Sequence, residues 1–493
     1  MIKVLTYIKL ETFMHEIDTD YLIVGAGALS LSFADSLLEY GDGHITFVDQ
    51  HPKPGGHWNV AYPFVTLHQP SATYGLNSMS LSDDLMDTDG PNKGFYKLAT
   101  GTQVLGYFEQ AMQQRFIPSG RVSYYPMSKY QEGAGGEHNI VSSISGKKTR
   151  VNVRRKLVDG SVWTASVPAT HKRKFEITDG VRLTTPGNLP EAWLTDAKVP
   201  GHYVIMGGGK TAMDVGVWLM NMGVEASSIS WVRPRETWLI NRASTQPGSK
   251  FAKNSIGWQL EQMRIGATAT NGDEIFLHLE KHGHMFRLDQ SSLPSKFHFP
   301  TISQGEVDLL RQIEHVIKVG RVNLIEPGVL HGADGDAEVP VDSLFIDCTA
   351  SAAKRSAVSP IWQGDRIVPA ILQVPLVSLS AAIAGFIEAT FDTNEEKNAL
   401  AMPIQMTDTP ADYPQAMLGN VMNRMLWSKN PAIMNFLNTA RLDPAQRIKS
   451  VMADVSEDVR HDAGQIRNAT IAALPNLKKL MVENHMAHNK AAD

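Results

Sequence analysis

DYLIVGAGALSLSFADSLLEY (20–40) holds an apolar run, a glycine turn and a helical pattern in one stretch. The run YLIV stops at Gly25-Ala26-Gly27, and Leu29, Phe33, Leu37 and Leu38 then recur at helical spacing. A GDGH turn leads into a second apolar run, ITFVD, which ends at Asp49. Strand, glycine turn, helix and strand in that order make a dinucleotide-binding unit. A strand ending at Gly25 can bend sharply, and Gly27 has no side chain to hold a pyrophosphate away from the amides of the helix N-terminus. Ser30 takes the third small position, and Asp49 stands where an acid accepts hydrogen bonds from the adenosine ribose. Ala26, Ala28 and Gln50 flank these positions and complete the expected contacts.

The same order returns at 202–233, where HYVIM leads into Gly207-Gly208-Gly209, a helical run TAMDVGVWLMNMG and a strand SISWVR. Gly207, Gly209 and Ala212 fill the three small positions. No acid follows the strand; Arg233 and Arg235 stand there instead, and guanidinium forks suit a 2′-phosphate, which points to NADP over NAD. Lys210 and Thr211 adjoin the turn, where Lys210 would add charge near a phosphate. One unit ending in Asp and one in Arg predict FAD in the first and NADPH in the second, hence hydride transfer to a flavin.

The chain has 493 residues, 43% hydrophobic and 20% charged, with a net charge of -5, so it is a globular protein of two or three domains without a footprint for nucleic acid or an anionic membrane. Its one cysteine, Cys348, cannot form an internal disulfide or a CxxC pair, and a lone thiol in an apolar strand reads as core. VPLVSLSAAIAGFIEA (374–389) is too short and too polar for a bilayer span and reads as a buried helix. Residues 1–18 lack an apolar signal region and NKAAD is no targeting motif, so the expectation is a cytoplasmic protein, with oligomeric state left open.

Between and after the two units, 96–118 reads as a helix, 121–190 as short strands, TTPGNLP (184–190) as the hinge into the second unit, and 241–300 as irregular. A helix is expected over 303–318, an apolar strand in DSLFIDCTAS (342–351), and helices through the Met-rich 401–493, where Tyr413, Met417, Val421 and Met425 share a helical face. HLEKHGHM (278–285) reads as a polar loop, and no metal site is expected. The fold class is α/β: two Rossmann-like domains, an FAD domain from 19–195 and 336–400, an NAD(P)H domain inserted at 198–335, and a helical region over 401–493.

GAGALS, GGHW (55–58), GGGKTAMD (207–214) and FIDCTAS (345–351) together resemble the flavin-dependent monooxygenase branch of the two-dinucleotide-domain flavoproteins, which includes flavin-containing monooxygenases, Baeyer-Villiger monooxygenases and N-hydroxylases. The resemblance covers about 20–390. It implies that Gly56, His57 and Trp58 lie against the ribityl and pyrophosphate part of FAD, that 62–78 runs along the isoalloxazine with His68 or Gln69 near its reactive edge, and that Ala350 lies near the cofactor. It implies that the N-terminus of the helix at 377–389 faces the flavin pyrimidine, with His57, His68 and Gln69 tuning flavin chemistry. The activity implied is NADPH-driven transfer of one atom of O2, through a flavin hydroperoxide, to nitrogen, sulfur or a carbonyl carbon of a small molecule. The FxGxxxH fingerprint is absent from 165–200, so no subclass is implied, and electron transfer without oxygen insertion or a flavin-binding interaction role stand as alternatives.

Overall fold

The computed structural model describes residues 15–162, 172–191, 199–349 and 358–492. Two sheets organise it, the first mixed around a parallel centre and the second parallel throughout. In the first, His15–Val24 lies between Ile45–Val48 and Lys148–Asp159, with Val122–Tyr125 beyond Ile45–Val48. Successive side chains of a strand point to opposite faces. Tyr21 and Ile23 therefore join the helical layer, while Leu22 packs with Val48, Ile140, Val151 and Leu157 beneath an antiparallel hairpin, Ser128–Glu132 and His138–Ser142.

Helix Ala28–Tyr40 crosses helix Val377–Thr390 on that layer, the latter being the apolar stretch read as buried. Contact is backbone to backbone: a Cβ on Gly385 would sit 2.2 Å from the carbonyl oxygen of Phe33. Ser32 Oγ donates to the carbonyl of Ser378 at 2.8 Å, fixing the register of the pair. Glu388, near the end of the second helix, is buried and takes Tyr21 Oη at 2.9 Å, Trp362 Nε1 at 2.8 Å and Lys397 Nζ at 2.6 Å, so its charge is paired and fully hydrogen-bonded.

The second sheet runs His315–Ile317, Ile229–Val232, His202–Met206, Ser343–Asp347, Arg182–Thr184, all parallel. Ser343–Asp347 was expected with the first unit and lies here instead. All five of its residues are buried, and such a strand needs neighbours on both edges and cover on both faces, which the position between His202–Met206 and Arg182–Thr184 provides. Arg182–Thr184 likewise places the entry into the second unit before TTPGNLP and not at it.

Three local readings change as well. The stretch 241–300 holds two helices, Ala252–Gly266 and Gly272–Lys281. The first hides from sequence because its buried face mixes Ala252 and Ser255 with Ile256, Leu260 and Met263, which weakens the periodicity. Helix Gln304–Leu310, with a Ser303/Glu306 capping box, stops early because HVI (315–317) goes to a sheet edge. Helix Gly101–Ala111 starts from a Thr100/Gln103 capping box and continues as a π turn through Phe116.

The C-terminal region is helical: Tyr413–Trp427, Pro431–Thr439, Pro444–Ser450 and Glu457–Ala492. It packs against Ala252–Gly266, where Gly266 admits Met417 and Leu477 to within 3.2 and 3.3 Å of a would-be Cβ. Among the described residues no helix is long and apolar enough to cross a membrane.

Candidate functional site

Gly25 adopts φ +88°, and its N–H closes the turn on the Val48 carbonyl at 2.8 Å. Gly27 caps helix Ala28–Tyr40 without a side-chain bond, leaving the first-turn amides open for an anion. The GGHW loop lies directly on this turn: Gly55 N–H donates to the Ala26 carbonyl at 2.7 Å, and a Cβ on Gly56 (φ +57°) would stand 3.0 Å from Gly27 Cα. Ser30 meets Gly160, whose would-be Cβ would fall on its Oγ, so the third small position serves close packing of helix against strand. Asp49 is buried; its Oδ2 accepts from Ala26 N–H at 2.5 Å and its Oδ1 from His51 N–H at 2.7 Å. It therefore shapes the turn itself, and it lines the cavity.

Trp58 is largely buried, donates to Tyr74 Oη at 2.8 Å and stacks on His57 with ring centroids 5.3 Å apart. Burial, then His51, holds the His57 imidazole below its ordinary pKa. The segment 62–74 is tied to the second unit at two points. Tyr62 Oη donates to Asp214 Oδ2 at 2.6 Å, and Arg242, fully buried, donates to the His68 carbonyl and to Glu306 Oε2, both at 2.8 Å. His68 itself faces the cavity, where desolvation first and the Lys210 cation second push its pKa down to about 4.

In the second turn Gly207 (φ +123°) bonds the Val232 carbonyl at 2.9 Å, and a Cβ there would come within 3.2 Å of the Cys348 carbonyl oxygen. Gly208 passes under Arg235, leaving no room for a side chain, and Gly209 caps helix Lys210–Asn221 without a side-chain bond. The Lys210 ammonium is ion-paired with Asp214 on the next helical turn. Arg233 is buried, stacked 4.8 Å over Trp231 and paired with Glu236 at 3.3 Å, whereas Arg235 is exposed. Cys348 is core, its thiol raised well above the ordinary range by burial.

A single cavity of about 1990 Å³ brings together Gly25, Gly27, Ala28, Ser30, Asp49, Gln50, Gly56, His57, Trp58, His68, Gln69 and Thr211. The lining also includes Gln373 to Val377 at the start of helix Val377–Thr390, and one face of Tyr413–Trp427. Gly207, Gly208, Gly209, Arg233 and Arg235 lie outside that lining, and Ala350 lies outside the described residues. Sequence reasoning missed Tyr62, Asp214 and Arg242, which no local pattern marks. HLEKHGHM is a turn only after Lys281: His278 sits on helix Gly272–Lys281, and Glu261 takes its Nε2 at 2.7 Å and Arg264 Nη1 at 2.6 Å. Glu261, His278 and His282 bring their donor atoms within 4.8 Å of one another, with the carboxylate charge already met by Arg264.

No protein-family model matches the chain. It is 36% identical over 430 residues, 87% of the chain and 78% of the relative, to the uncharacterized proteins Rv2000 of Mycobacterium tuberculosis and Mb2023 of Mycobacterium bovis. The chain belongs to the family of these mycobacterial proteins. Among solved structures, this member of the family is similar to the open form of cyclohexanone monooxygenase (TM-score 0.48, 12% identity, 90% of this chain and 98% of that one). It is similar also to a flavin-containing monooxygenase from Stenotrophomonas maltophilia (TM-score 0.43, 12% identity, 76% and 97%).

Proposed function

We propose that the chain is an FAD-dependent, NADPH-using monooxygenase that adds one oxygen atom of O2 to a small organic substrate at nitrogen, sulfur or a carbonyl carbon. One observation carries the reading: a continuous cavity runs from the first glycine turn past GGHW and His68 to the C-terminal helices, and Thr211 of the second nucleotide unit reaches into it.

The residues present fit FAD. The close backbone approach of Gly27 and Gly56, which a Cβ would block, sets GGHW against the first turn, and the uncapped helix behind it offers amides to a pyrophosphate. Gly25, Gly27, Gly56 and Trp58 would hold the cofactor, Asp49 would orient the turn around it, and Gly207, Gly209 and Arg235 would hold NADPH. Bound FAD supplies the two-electron and oxygen chemistry. The first unit then serves as the FAD domain and the second as the NADPH domain.

The chain's own residues do the rest. His68, neutral down to about 4, offers one donor and one acceptor nitrogen at the cavity wall and adds no charge there at neutral pH. Tyr62, whose pKa burial and Asp214 raise, stays protonated and holds the 62–69 segment by its bond to Asp214. The C-terminal helices give the cavity a largely apolar wall, against which a bound substrate would displace water from the reacting region.

Purified protein is expected to be yellow, to release FAD on denaturation and to bleach with NADPH in preference to NADH. Oxygen uptake that appears wholly as hydrogen peroxide with every amine, sulfide and ketone tried would return the reading to electron transfer alone.

A further inference from the structure

The part of the cavity beneath the C-terminal helices is lined by apolar side chains and two arginines, with no acid among its described residues, and that combination selects a ligand. We propose that this chamber takes an amphipathic monoanion, a long apolar body ending in a carboxylate, with the carboxylate held by Arg447. The assignment of this space to substrate rests on the monooxygenase reading above; the ligand chemistry rests on the chamber.

Space comes first. At about 1990 Å³ the cavity is roughly twice the ~1,000 Å³ upper end of pockets for single drug-sized ligands, so it has room for a cofactor and a second sizeable molecule. The chamber wall is apolar: Met417 and Val421 come from one face of Tyr413–Trp427, Trp258 and Met263 from Ala252–Gly266, and Ile448 from Pro444–Ser450. Flexible Met side chains suit a long chain of variable shape.

Charge decides the head group. Asp49 is the one acid in the cavity lining among the described residues; it sits at the glycine turn, away from the chamber, and Lys129, Lys172 and Lys174 also line the cavity outside the chamber's helices. Two cations line the chamber. Arg424 is satisfied, making a two-pronged pair with Asp443 at 2.7 and 2.8 Å and a 2.8 Å bond to Gln373. Arg447 is not: its Nε donates to the Arg441 carbonyl at 2.9 Å, and among the described residues no carboxylate reaches either terminal nitrogen. Asp84, the acid whose field it feels, is exposed and engaged by Ser82. Arg441 in turn is fastened to the carbonyls of Ala72, Tyr74 and Leu76, so the support under Arg447 is fixed to the first unit. An anchored, partly buried guanidinium fork with both outer nitrogens open, at the edge of an apolar chamber, is a carboxylate receptor.

The test is calorimetric titration of the holoprotein with hexanoate, decanoate, dodecanoate and methyl dodecanoate. Dodecanoate is expected to bind at least ten-fold more tightly than its methyl ester. Affinity should rise about four-fold per added CH2 until the chamber is full. Arg447→Ala should abolish the preference for the acid over the ester, and Arg447→Lys should keep part of it. Equal binding of acid and ester, no dependence on chain length, or an unchanged preference in a folded Arg447→Ala protein would each overturn the proposal. Flavin content and NADPH bleaching, measured on the same preparations without ligand, report separately on the monooxygenase reading. Loss of that reading leaves the carboxylate preference standing or falling on its own data.

Discussion

Arg242, with no exposed side-chain surface, donates to the main-chain carbonyl of His68 at 2.8 Å. The bond ties the cavity-lining segment of the first unit to a residue of the second, and Glu306 balances the buried charge from the other side at 2.8 Å.

Removing one partner of this pair leaves a buried charge without compensation. Arg242→Ala is expected to lower unfolding stability by about 3–5 kcal/mol. Urea denaturation followed by tryptophan fluorescence measures it, and a loss under 1 kcal/mol would show that solvent reaches the pair.

Glu306 gives the pair a pH signature. Burial alone would raise its pKa, but Arg242 and then Lys210 hold it down to about 2. A depressed folded-state pKa stabilises the fold above the unfolded carboxyl value and loses that contribution as pH falls from about 4.5 toward 2. Glu306→Gln should flatten the stability profile in that window while leaving the slope above pH 5 unchanged.

Two histidines act higher up the scale. Burial lowers both His68 and His284 to about 4. The unfolded chain takes up these protons near 6.5 and the folded chain does not, so the histidines' contribution should lower stability as pH drops from 6.5 to 4 and add no further slope below. His284, bonded through Nδ1 to Ser244 Oγ at 2.9 Å, is the cleaner probe because it does not line the cavity. His284→Asn should reduce the slope of the urea midpoint against pH in that range.

The contact of Gly27 with Gly56 predicts cofactor loss without global unfolding. Gly56→Ala must place a Cβ 3.0 Å from Gly27 Cα in a left-handed conformation. FAD released per mole of protein should fall at least ten-fold, and full occupancy would place the pyrophosphate elsewhere.

Arg233 and Arg235 should separate. Arg235→Ala, exposed beside the second turn, is expected to raise KM for NADPH about ten-fold with little change for NADH. Arg233→Ala removes a guanidinium stacked on Trp231 and paired with Glu236, so its main effect should be on stability. A selectivity change confined to Arg233→Ala would reverse the two roles.

Both glycine turns could be read from the amino-acid sequence because strand, turn and helix are adjacent in the chain, and the φ of Gly25 and Gly207 follows from local geometry. The helices of 401–493 were legible for the same reason, through their 3.6-residue period. Side chains that meet across long separations left no local trace. Ser343–Asp347 has the composition of any buried parallel strand, and only pairing with His202–Met206 places it in the second sheet. The Arg242–His68 bond, the Tyr62–Asp214 bond and the lining of the cavity by one face of Tyr413–Trp427 are likewise decided by tertiary packing, since each joins residues more than 100 positions apart. Periodicity and turn chemistry are local properties of a chain. Which sheet a strand enters, and which charge a buried arginine meets, depend on the free energy of the whole packed core.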